Sequence, residues 1–153
     1  MFISGPVADL DAITLAEVNS GVMLSCYLTV NGAQITDEQT VIVDGRACST
    51  QDLQLEGNET VNVALDYVYN VAEPTEDVAR TTLARGVEGV LVEVVQVDPD
   101  VEDVFTVDNW YRAVAIRAGK QVPVPVEDNA VDRIHQPAFV RSKLTELKQF
   151  AAA

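Results

Sequence analysis

Residues 40–71 read TVIVDGRACSTQDLQLEGNETVNVALDYVYNV, and this stretch decides the fold. Two apolar, alternating runs flank a polar turn that carries Gly57 and Asn58. In the second run Val61, Val63, Leu65, Tyr67 and Tyr69 fall on one face. Asn62, Ala64, Asp66, Val68 and Asn70 fall on the other. A period of two over this length specifies a strand with one buried and one wetter face.

The same theme runs outward in both directions. Towards the N-terminus, Val22, Leu24, Cys26, Leu28 and Val30 alternate with Met23, Ser25, Tyr27 and Thr29, which predicts a strand. Asn31-Gly32 reads as a hairpin turn and residues 33–40 as a polar loop. Residues 13–18 read as a short strand, and residues 1–12, with Gly5 and Pro6, as an N-terminal arm. Towards the C-terminus, Thr75 is placed to cap a helix over about residues 75–85, with acids in its first turn and Gly86 to end it. Residues 87–97 form a valine-rich strand interrupted by Gly89. Residues 106–118 form another, with Trp110, Arg112, Val114 and Ile116 on one face. Val122-Pro123-Val124-Pro125 is extended and suits a sheet edge, because proline lacks a ladder donor. Residues 134–144 are the last strand, and 145–153 a C-terminal tail that frays or forms a helical turn. The sum is a mainly β fold: a sandwich or half-barrel of seven or eight strands over residues 13–144, with one short flanking helix.

At 153 residues the chain is long enough to bury about 70% of its unfolded surface without a metal or disulfide. The formal net charge of -14 argues against binding phosphate backbones or an anionic membrane. The charge is uneven. Residues 1–45 contain no Lys or Arg, while residues 133–153 carry Arg133, Arg141, Lys143 and Lys148 against Glu146 alone. Either this is an ordinary solvated surface, or the acidic end of one copy meets the basic end of the next. The start lacks the basic and apolar segments of a signal peptide, and no run approaches the ~18 apolar residues of a membrane helix. Cys26 and Cys48 are therefore expected as thiols buried like small hydrophobes, with a disulfide between the two as the alternative.

Motifs that carry chemistry are missing. There is no GxSxG and no GxGxxG, and Gly119-Lys120 is followed by Gln121 where a phosphate-binding loop needs Ser or Thr. The acidic run 98–103 fails the calcium-loop pattern, with Asp103 in the glycine position and Asn109 in that of the bidentate Glu. His135 is the only histidine, so a zinc site would have to borrow both cysteines and a fourth ligand. No catalytic, cofactor or metal-binding residue is assigned, and no enzymatic activity is expected.

The blocks Leu24-Ser25-Cys26-Tyr27-Leu28-Thr29, Arg46-Ala47-Cys48-Ser49-Thr50-Gln51, Leu65-Asp66-Tyr67-Val68-Tyr69-Asn70, Thr81-Thr82-Leu83 with Gly86, and Arg133-Ile134-His135-Gln136 occur in this order. Together the sequence resembles the major tail proteins of long-tailed phages infecting actinobacteria, such as mycobacteriophages. The resemblance implies a tail-tube β-sandwich with a flanking helix. It implies self-assembly into hexameric rings, stacked through the N-terminal arm and long loops into a hollow tube that passes double-stranded DNA. The implied partners are further copies of the chain and the tape measure, tail terminator and distal tail or baseplate proteins. The implied location is the virion tail, after assembly in the host cytoplasm. On this reading Asp66, Glu88, Glu93 and Asp108 are candidates to line the bore, where acids repel DNA phosphates. Asp9, Asp11, Arg141, Lys143 and Lys148 are candidates for ring stacking. The alternative is a monomeric acidic β-sandwich that serves as a binding or adhesion module, with a small acidic enzyme third.

Overall fold

The computed structural model describes residues 1–45, 51–70, 77–95, 105–125 and 131–151. The elements run β1 (Phe2–Ser4), α1 (Leu15–Asn19), β2 (Leu28–Asp44), β3 (Leu53–Val68), α2 (Val78–Thr82), β4 (Glu88–Val95), β5 (Trp110–Ala118), β6 (Val122–Pro123), β7 (Arg133–Val140) and β8 (Lys148–Gln149). The fold is mainly β, as the alternation predicts. The eight strands among the described residues join one open sheet in the order β1-β4-β5-β7-β3-β2, with β6 on β7 and β8 on β5. Every pairing is antiparallel. The two halves stay hydrogen-bonded because Ile116, Arg117 and Ala118 at the end of β5 pair with Val140, Phe139 and Ala138 of β7.

Register sorts the side chains into two faces. The first face carries Phe2, Leu91, Val114, Ile116, Ile134, Val63, Leu65 and Tyr67, and α2 adds Ala79 and the following Leu83 to this core. Among the described residues the second face is covered at β1, β4 and β5. There Ile3, Val90, Val92, Tyr111 and Ala113 pack with Ile13, Val18, Phe105 and Phe150. Each such aliphatic or aromatic side chain contributes roughly 1.5–3 kcal/mol by leaving water. The expected core face of β3 is therefore observed, with Val61 and Tyr69 packed at its ends. One buried polar group ties this core together. Gln136 Nε2 donates to the carbonyls of Leu83 (2.8 Å) and Gly119 (3.0 Å), and its Oε1 accepts from Tyr67 Oη at 2.9 Å.

Several local expectations are corrected. Gly57-Asn58 is not a turn but lies inside the continuous strand β3, and Asn31-Gly32 and residues 33–40 lie inside β2. Residues 15–19 are a helix, held by a capping box in which Thr14 and Glu17 exchange hydrogen bonds. Residues 22–27 are not strand: Tyr27 N and Leu28 N both bond to Leu24 O in a tight turn. The N-terminal residues are not a free arm, because β1 pairs with β4 and buries Phe2 and Ile3. Gly89 permits this pairing: a Cβ there would strike Ile3 O and the Phe2 ring. The C-terminal tail is likewise anchored, through β8 and the buried Phe150. Cys26 is an exposed thiol rather than a core one, because it lies in that turn. The predicted cap Thr75, the acidic run 98–103 and Cys48 lie outside the described residues.

Candidate assembly surfaces

The β2–β3 hairpin outgrows the body. Its inner half carries Val63, Leu65 and Tyr67 into the first core, with Ile35 packed beside them. At Thr40 the register shifts, so that Gln39 pairs with Glu59 but Val41 with Glu56. This bulge puts an extra residue in β3 and bends the hairpin. Gly57 is required there, since a Cβ would collide with Thr40 Oγ1 and lie 2.6 Å from Thr40 O. Beyond the bulge the strands are exposed on both faces among the described residues. Val41, Ile42, Val43, Leu53 and Leu55 are all more than half exposed. β2 is also the last strand of the sheet, so its outer backbone edge has no partner strand among the described residues. Such an edge with apolar flanks is a template for pairing with another chain.

The candidate bore residues do not share one face. Asp66 pairs across the ladder with His135 on the second face, its Oδ1 2.6 Å from His135 Nδ1. Glu88 is also on the second face, but Arg141 (3.5 Å) and Arg117 (3.9 Å) partly neutralise it. Glu93 sits on the first face, bonded to its cross-strand neighbour Arg112. Asp108 is exposed in the turn before β5 and forms no ion pair among the described residues.

The stacking candidates separate as well. Asp11 and Lys148 meet within one chain, Nζ to Oδ1 at 2.9 Å. That hydrogen bond holds the Lys148 ammonium above its ordinary pKa. Asp9 caps the backbone of Asp11. The two ends are further joined by Ala151 N to Ile13 O (3.0 Å), and by Phe150 stacked on Tyr111 at 4.6 Å. Tyr111 Oη donates to Leu10 O and accepts from Ile13 N, and burial raises its pKa. The acid-rich start and basic end are thus complementary, but first to each other.

Two charged surfaces escaped the sequence reading. Arg85, Arg117, Lys120 and Arg141 line one open cleft of about 420 Å³, with Phe139 among them at 62% exposure. These are four of the ten Lys and Arg in the chain, drawn from the α2–β4 turn, the end of β5, the turn after it and the end of β7. No contiguous run announces them. The second surface is the hairpin itself. β2 and β3 carry Asp37, Glu38, Asp44, Glu56, Glu59 and Asp66 and no Lys or Arg. That asymmetry was visible in the sequence. Asp37, Glu56 and Glu59 face a groove of about 580 Å³ that Arg112, Lys143 and Glu146 also line.

Among the described residues no cluster of three or more His, Cys, Asp or Glu is arranged to hold a metal. No helix there is long and apolar enough to cross a membrane. A search of curated proteins finds no match. The family model described as Phage tail tube protein matches residues 1–153, the whole chain, and the chain belongs to that family.

Proposed function

We propose that this phage tail tube protein associates with copies of itself into rings, six to a ring, which stack into the hollow wall of a tail tube. The observation that carries this reading is the β2–β3 hairpin. It combines a 17-residue edge strand with five large apolar side chains left in water. Among the described residues of a single copy that edge has no partner strand, whereas closure into a ring removes it. Contacts between unlike surfaces that close give rings, and those that repeat along an axis give filaments. The tube delivers double-stranded DNA without binding it, since a chain of net charge -14 repels phosphates. Within that bore Asp66 and Asp108 are the stronger candidates, because arginines offset Glu88 and Glu93. The resemblance to actinobacteriophage tails extends the reading to a long-tailed phage, with tape measure, terminator and baseplate proteins at its ends.

Negative-stain electron microscopy of the purified chain over rising concentration tests the reading. Rings or tubes of uniform diameter are expected. Compact monomers at every concentration would overturn it and favour a binding module. Charge reversal at Asp66 and Asp108 together is expected to slow DNA ejection from virions whose tails assemble normally. Unchanged ejection would remove these residues from the bore.

A further inference from the structure

We infer that the acidic face of the β2–β3 hairpin of one copy docks into the basic cleft of the next. This rests on the self-association reading and assigns its two surfaces. The hairpin face presents Asp37, Glu56 and Glu59, and none of the three forms an ion pair among the described residues. Val41 and Val43 extend the same face past the bulge, since Val41 is the ladder partner of Glu56. The cleft presents Arg85, Arg117, Lys120 and Arg141 around the exposed ring of Phe139. Arg85 and Lys120 also form no ion pair among the described residues. Asp37, Glu56 and Glu59 on the one surface and Arg85 and Lys120 on the other therefore lack an ion-pair partner among the described residues, and each group lies beside exposed apolar side chains.

Nucleic acid is a poorer occupant for the cleft. Glu88 stands among its arginines, and the molecule as a whole is strongly negative. The hairpin of a second copy brings both the negative charge and the valines that meet Phe139. Complementary charge steers such an encounter and fixes its register, while the apolar contact holds it. The surfaces are unlike, so the contact is heterologous and propagates from copy to copy.

A charge-swap mixture tests the pairing. One variant carries Glu56→Lys with Glu59→Lys, and the other Arg85→Glu with Lys120→Glu. All four residues are exposed, and circular dichroism checks that each variant folds. Alone, each needs at least about tenfold higher concentration to assemble, because every such contact becomes repulsive. Mixed in equal amounts they assemble as the unchanged chain does, since each hairpin then meets an oppositely charged cleft. Assembly of either variant alone at the unchanged concentration overturns the pairing. So does failure of the mixture when both variants are folded. Should a variant not fold, the unchanged chain decides. Its association must weaken between about 0.05 M and about 0.5 M salt, and salt-independent association sinks the proposal. If the unchanged chain never associates, the tube reading fails instead.

Discussion

Tyr67 and Gln136 show what a single residue does for this fold. Both are fully buried, and the phenol donates to the amide oxygen at 2.9 Å. Replacing Tyr67 with Phe keeps the ring and strands that oxygen, at an expected cost of about 1–3 kcal/mol in denaturant unfolding. Burial also pushes the Tyr67 phenol up to about 12 from its ordinary 10.0. The folded state then holds its proton more tightly than the unfolded state. The resulting stability is complete below pH 10, and is lost as pH rises through 12. Denaturation midpoints over this range are expected to fall less steeply in the Tyr67→Phe variant; equal slopes would assign the loss to other groups. Little of this network was legible beforehand. The period of two placed Tyr67 inside, but Gln136 is a polar residue in a strand, and alternation alone cannot say that Leu83 and Gly119 will offer it carbonyls.

At the scale of the element, the hairpin explains both the success and the errors of reading the sequence. Alternation in residues 61–69 was clear because one face of β3 is buried. Residues 33–40 read as a loop because all but Ile35 are exposed, and a strand wet on both faces has no hydrophobic period to display. Gly57 looked like a turn for a related reason: a glycine required by close approach at a bulge carries the same letter as one required by a turn. The missed α1 did leave a signal, since Thr14 and Glu17 stand at capping-box spacing. Five residues simply give too little period to outweigh an apolar run. The bulge makes a prediction of its own. Gly57→Ala forces its Cβ against Thr40, so the ladder there must open, at about 1–3 kcal/mol. Amide exchange is expected to quicken at residues 39–42 and 56–59 while the core of β3 stays protected. Assembly should weaken with it, because the outer half of the hairpin is re-aimed.

For the whole molecule, the ends matter as much as the sheet. The uneven charge along the chain suggested that the acidic start of one copy meets the basic end of another. Within one chain Asp11 already pairs with Lys148, Ala151 bonds to Ile13, and Phe150 closes over Tyr111. Sequence could show the complementarity but not whether it is satisfied in one chain or between two, since that depends on where the sheet places residues 137 positions apart. The segment before α1 and the last strand therefore act as one cover for the second face of β4 and β5. Phe150→Ala tests this cover. Removing a buried aromatic costs about 3–5 kcal/mol, partly as a cavity against Tyr111 and Phe105. If the cover is one unit, residues 7–14 lose amide protection together with 148–151, although only the latter were touched. Loss confined to 148–151 would mean the N-terminal segment holds its place alone. Either way the first core, with Tyr67 and Gln136, lies across the sheet from the change and should keep its protection.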